Sequence, residues 1–246
     1  MIAKRPSKSP LTPLSKRGRA GFFAVMILVC SLAFSGYQPS GLLNNISTTQ
    51  RVVFLTFDDG PKIGVTEPIL KILASENVKA TFFMVGDNMA KYPDLVEMTY
   101  AQGHDVGNHT YDHIRLDNLA GDDLDYQLQE TNRVIVDILG KTPRLFRPPG
   151  GRFNHMILET LAKYGLIPIG WAINTSDYIE GTNVHLSAAA IQMKVNEVMG
   201  AVRENLHPGA IILMHNGNEI GIQALPLVIQ YVRSQGYQFR KLSDVL

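Results

Sequence analysis

Beyond residue 50 the chain alternates between short apolar runs and helical stripes, and that alternation restricts the fold more than any other feature. Residues 51–56, 80–85, 105–107, 145–147, 167–171, 210–214 and 237–241 read as strands. Residues 66–76, 89–102, 121–139, 155–164, 188–205 and 221–235 read as helices between them. Ile69, Ile72 and Leu73, for example, make an i, i+3, i+4 stripe. Gly103 and Gly140 stop two helices, and Asp122 and Asp123 suit the dipole at the start of another. Residues 210–214 are apolar throughout, as a strand buried on both faces requires. Strands joined by helices pair in parallel, and this many close on themselves, so the expectation is an α/β barrel of about seven parallel strands. Chemistry in such a barrel sits where strands end.

The first 50 residues differ in kind. Lys4, Arg5, Lys8, Lys16, Arg17 and Arg19 precede residue 20 with no acid among them. An apolar run follows to Phe34, and Ala33-Phe34-Ser35 supplies a small-x-small cleavage site before Gly36. Residues 1–35 therefore read as a signal peptide or a retained membrane anchor, and both place the rest outside the cytoplasm. Residues 36–50 are polar and aperiodic, a linker to a domain over 51–246. Setting the six basic residues aside takes the formal charge from +1 to −5, which argues against nucleic acid as a partner of the domain. Cys30, the single cysteine, lies in the apolar run, so intrachain disulfides and thiolate metal clusters are excluded.

The polar groups at the strand ends form a short set. Asp58 and Asp59 follow the first strand and precede a Gly60-Pro61 turn; adjacent desolvated acids call for a cation. Asn108, His109 and His113 follow the third strand, and on one helical turn the two imidazoles would point the same way. Two histidines and a carboxylate are a frequent ligand set for catalytic Zn²⁺. Arg147 ends the fourth strand against two prolines, suited to pair with a carboxylate. Asn174, Thr175, Ser176 and Asp177 follow the fifth, and His215 and Asn216 the sixth; Asp177 and His215 are a possible pair. His104, His155, His185 and His207 read as structural or surface groups.

Four motifs carry a resemblance to a known family: Thr56-Phe57-Asp58-Asp59-Gly60-Pro61, His109-Thr110-Tyr111-Asp112-His113, Arg147-Pro148-Pro149-Gly150 and Leu213-Met214-His215. In order and spacing they resemble the polysaccharide deacetylases, the NodB-homology enzymes of carbohydrate esterase family four. The resemblance runs from Arg51 to the C-terminus and implies a distorted (β/α) barrel. It implies that Asp59, His109 and His113 bind a divalent metal, usually zinc, with Co²⁺, Mn²⁺ or Ni²⁺ as other occupants. It implies Asp58 as general base oriented by Arg147, and His215 as general acid tuned by Asp177. Pro149, Gly150, Tyr178 and Leu213 fall beside the substrate, and Trp171 is either a stacking face for a sugar or a core residue. Two departures bear on substrate choice. Gly150 stands where the family often has Tyr, and Asn174-Thr175-Ser176-Asp177-Tyr178 replaces a usual Asp-x-x-Asp-Trp.

The implied activity is metal-dependent hydrolysis of N-acetylated amino sugars in a polysaccharide. Peptidoglycan comes first, chitin oligomers next and O-acetylated xylan third. The competing readings are a catalytically silent glycan- or wall-binding protein and a hydrolase of small amides.

Overall fold

A computed structural model of the chain describes residues 40–119, 121–178 and 186–246. The expected N-terminal segment, 1–35, lies outside them. No helix among the described residues is long and apolar enough to cross a membrane.

The sheet is parallel throughout. Its strands are β1 (Val52–Gly60), β2 (Thr81–Met84), β3 (Asp105–Asn108), β4 (Leu145–Phe146), β5 (Ile167–Pro168), β6 (Ile173–Asn174), β7 (Ile211–His215) and β8 (Gln238–Arg240). The helices are α1 (Thr66–Ser75), α2 (Gly86–Lys91), α3 (Pro93–Ala101), α4 (Asp122–Leu139), α5 (His155–Lys163), α6 (Ala188–Asn205) and α7 (Glu219–Ser234). Seven strands run in the order β5-β4-β3-β2-β1-β7-β6, and β8 pairs with the start of β1. The two outer strands are consecutive in sequence. Laid flat, seven strands would be about 29 Å wide. The four residues between Pro168 and Ile173 reach at most about 18 Å. The sheet therefore has to curl, and the result is the expected distorted barrel, left open between β5 and β6.

Within the segment expected to be a linker, residues 43–46 belong to the fold. Leu43 bridges in parallel to Ile169, and Asn45 in antiparallel to Ala210. The Leu43 N–H donates to Pro168 O, and the Ile46 N–H to Gly209 O. This strip ties the end of β5 to the start of β7.

Alternation along β1 sorts the core. Val53, Leu55 and Phe57 pack outward against helices with Ile69, Leu73, Val228 and Ile229. Val52 and Phe54 face inward with Phe83, Ile169, Ile211 and Leu242. Each such side chain contributes about 1.5–3 kcal/mol through burial. The inward face of β1 then continues through Thr56 to Asp58, so the apolar interior ends in polar groups at one rim.

Two expected elements divide. The helix over 89–102 is α2 and α3, broken at Tyr92 because Pro93 disfavours a helical residue before it. The strand over 167–171 stops at Pro168, and β6 follows as a separate strand. Gly170 between them lies against Asn44, where a Cβ would sit 1.9 Å from the Asn44 Oδ1.

Candidate active site

In a regular strand Asp58 and Asp59 would point to opposite faces. Here β1 carries a register shift between Phe57 and Gly60, and Asp59 has φ 74°. This bulge turns both carboxylates into one cleft. The expected loop after the strand is thus its irregular end. Asn216 packs against the turn, leaving no space for a Cβ at Gly60.

His109 and His113 also converge, though by a route other than the helical turn expected from their spacing. Residues 109–113 form a loop in which Thr110 and His113 take left-handed φ of 66° and 55°. The loop is held from behind. Asn108 Oδ1 accepts the Thr110 N–H at 2.9 Å, and Gln127 Oε1 accepts the N–H groups of Tyr111 and Asp112. The imidazole centroids lie 5.1 Å apart.

Asp59 Oδ1 lies 3.1 Å from His113 Nε2 and 3.4 Å from His109 Nε2. One donor atom from each of the three residues falls within 4.8 Å of the others. One carboxylate and two imidazoles suit a divalent cation that keeps open positions. The orientation of His109 fits as well. Its Nδ1–H donates to the Arg147 carbonyl at 2.7 Å, which leaves the Nε2 lone pair facing the cluster. Burial works to raise the Asp59 carboxyl, but its close contacts with His109 and His113 prevail and hold it well below the usual carboxylate range. The same contact lifts His113 above the ordinary histidine value, against burial.

Asp58 stands beside this cluster with a different partner. Arg147 Nη1 donates to Asp58 Oδ1 at 2.7 Å and to Thr56 Oγ1 at 2.8 Å. Nη2 donates to Gly170 O, and the guanidinium lies 4.3 Å from the Phe83 ring centroid. Arg147 is fully buried, and burial pushes its pKa down while Asp58 opposes the shift. Thr56, which opens its motif but was assigned no role from it, is a member of the site. Its signal was its position two residues before Asp58, on the same strand face.

On the next strand, His215 Nδ1–H donates to Asp177 Oδ1 at 2.8 Å, while Asp177 Oδ2 accepts the His215 backbone N–H. Thr175 Oγ1 also reaches Asp177, and Asn218 Nδ2 donates to its carbonyl. Burial alone would lower the His215 pKa. The hydrogen bond to Asp177, with the charges of Asp177, Asp58 and Asp59, prevails and raises it. Its Nε2 is left for the cleft.

That cleft has a volume of about 420 Å³, and Asp58, Asp59, His109, His113 and His215 all line it. Gly150, Trp171, Tyr178 and Leu213 form its walls, together with Asn174 and Arg115, a residue absent from the expected set. Pro149 is buried and does not line it. Trp171 is partly exposed here, which favours the wall over the core. Among the remaining histidines, His104 accepts the Ala80 N–H and burial pushes it down to about 4. His155 and His207 stay outside the cleft, and His185 lies outside the described residues.

The family model described as polysaccharide deacetylase matches residues 45–169, half of the chain. The chain belongs to the polysaccharide deacetylase family. A chitooligosaccharide deacetylase of Azorhizobium caulinodans is 34% identical over 178 residues, covering 72% of this chain and 79% of the relative. The solved Bc1960 peptidoglycan N-acetylglucosamine deacetylase superposes with a TM-score of 0.74 at 28% identity, over 82% of this chain and 91% of its own. BA3943 of Bacillus anthracis, described as a family pseudoenzyme, superposes equally well, with a TM-score of 0.74 at 27% identity over 83% and 68%. Polysaccharide deacetylases thus share this backbone with a silent member, so the side chains of the cleft have to carry any argument for turnover.

Proposed function

We propose that this chain is a divalent-metal-dependent, exported deacetylase of N-acetylated amino sugars in a polysaccharide, peptidoglycan before chitin oligomers. One observation carries the reading: a cluster fit for a cation, an acid backed by a cation and an imidazole backed by an acid share one cleft. The similarity to peptidoglycan and chitooligosaccharide deacetylases supports the substrate class. The basic and apolar segment over 1–35 supports export, either as a cleaved signal or as an anchor.

In this reading Asp59, His109 and His113 hold the cation, zinc first. A bound divalent cation supplies Lewis-acid stabilisation of the charge that develops when an acetamide is attacked. Asp58 takes the proton of the attacking water, and Arg147 keeps that carboxylate aimed into the cleft. The Gly150 N–H donates to the developing oxyanion. His215 delivers the proton from Nε2 to the amine nitrogen as the C–N bond breaks, because an unprotonated amide nitrogen is a poor leaving group. Acetate and a free amino sugar leave. Tyr178, whose ring meets His215 edge-on at 5.3 Å, and Trp171 shape the walls against the sugar.

The test incubates the protein with peptidoglycan, chitin oligomers and acetylated xylan, with zinc or with chelator, and measures acetate. Zinc-dependent acetate from an amino-sugar polymer is the expected result. Polymer binding without acetate under any divalent metal would make the chain a silent glycan-binding protein. Turnover of soluble amides alone would make it a small-amide hydrolase.

A further inference from the structure

Arg115 lies in the loop after β3, two residues beyond His113, and its side chain lines the catalytic cleft. Among the described residues it has no ion pair and no side-chain hydrogen bond. The neighbouring acids are engaged elsewhere: Asp117 faces Arg152 at 4.0 Å, and Asp112 accepts from Gln127 Nε2. Gly150 is its neighbour on the cleft wall. A Cβ there would sit in ordinary contact with Arg115 Nε, at 3.9 Å, and meet nothing else within 4 Å. Arg115 thus stands beside bare backbone on that wall.

A neutral sugar offers this group only hydroxyl and carbonyl acceptors. A carboxylate matches the planar fork of an arginine with two parallel hydrogen bonds. The cleft's own carboxylates do not compete for it, since Asp58 is paired with Arg147 and Asp59 with the two histidines. Resting on the deacetylase reading above, we propose that Arg115 is a specificity-determining residue that reads a carboxylate carried by the glycan near the acetamido group. Peptidoglycan offers one from two sources. The lactyl ether of its muramic residue has a free carboxylate once the peptide is cut away, and the stem peptide carries acids of its own. Chitin has neither.

The experiment measures kcat/KM for acetate release by the full chain on three substrates: peptide-bearing glycan strands, strands stripped of peptide, and chitin oligomers. Arg115→Gln should lower the ratio of an anionic substrate to chitin about tenfold, chiefly through KM, the scale of one charge-assisted hydrogen bond. Arg115→Lys should restore part of the ratio, and Arg115→Glu should lower it further. A drop confined to stripped strands assigns the lactyl carboxylate, and one confined to peptide-bearing strands assigns the stem. Unchanged ratios on both anionic substrates, with acetate still released, overturn the role of Arg115 alone. No acetate from any glycan by the unmodified protein overturns the deacetylase reading, and this inference with it.

Discussion

Asp58 and His215 are register partners on the adjacent parallel strands β1 and β7, pinned by the Asn216 N–H donating to Asp58 O at 2.7 Å. Neighbouring strands lie about 4.8 Å apart, so the ladder itself sets the proposed base beside the proposed acid. Behind each stands a partner of opposite charge, Arg147 for the carboxylate and Asp177 for the imidazole. The pair thus has two fixed ends and one shared opening.

Removing the proposed base tests this arrangement directly. Asp58→Asn should lower acetate release by about 10²–10⁴-fold. Bound metal, measured by atomic spectroscopy after dialysis, should remain, because Asp59, His109 and His113 are the proposed ligands. Wild-type turnover in this variant would take Asp58 out of the proton path.

The acid gives a pH signature. His215 is raised above the ordinary histidine value, against burial, by Asp177 with help from Asp58 and Asp59. In the proposed mechanism its protonated form is the proton donor, so turnover should fall as pH climbs through that raised value. Asp177→Asn removes the first of the raising groups and should move the alkaline limb of the kcat profile to lower pH. The linkage to folding has the same sign: this pair's stabilisation is complete below the unfolded histidine value and fades as pH rises through the folded one. An alkaline limb in the same place with and without Asp177 would assign it to another group.

Arg147 is buried together with Asp58, and breaking such a pair strands a charge. Arg147→Met should destabilise the fold by about 3–5 kcal/mol in denaturant unfolding. The double variant Arg147→Met with Asp58→Asn should recover part of that loss, since no unpaired carboxylate remains. Additive losses would mean that packing against Phe83, rather than charge, dominates.

Gln127 touches neither metal nor substrate in this reading, yet it holds the backbone of the loop between His109 and His113. Gln127→Ala should weaken zinc binding about 10–100-fold, the usual scale for groups that orient ligands. Competition with a chromophoric chelator measures this. Unchanged affinity would show that Asn108 alone sets the loop.

Much of this was legible beforehand because the information is local. Strand and helix periods fixed the alternation, and the motifs around Asp58, His109, Arg147 and His215 fixed which groups share a rim. What stayed hidden depends on contacts between distant segments. Thr56 and Gln127 are ordinary residues by type and gain roles only from what lies across from them. The strip over 43–46 has no period to read, since its partners are Pro168 and Gly209.

The sequence by itself determined the fold class, the family and the residue types able to hold a cation and move a proton. Tertiary structure decided how they meet. The bulge at Asp59 turns two neighbouring acids to one side, and left-handed φ at Thr110 and His113 replaces the helical turn that their spacing suggests. Four residues linking the outer strands then force the sheet to curl. Period and composition describe a chain one element at a time, whereas these outcomes follow from closing many elements around one interior.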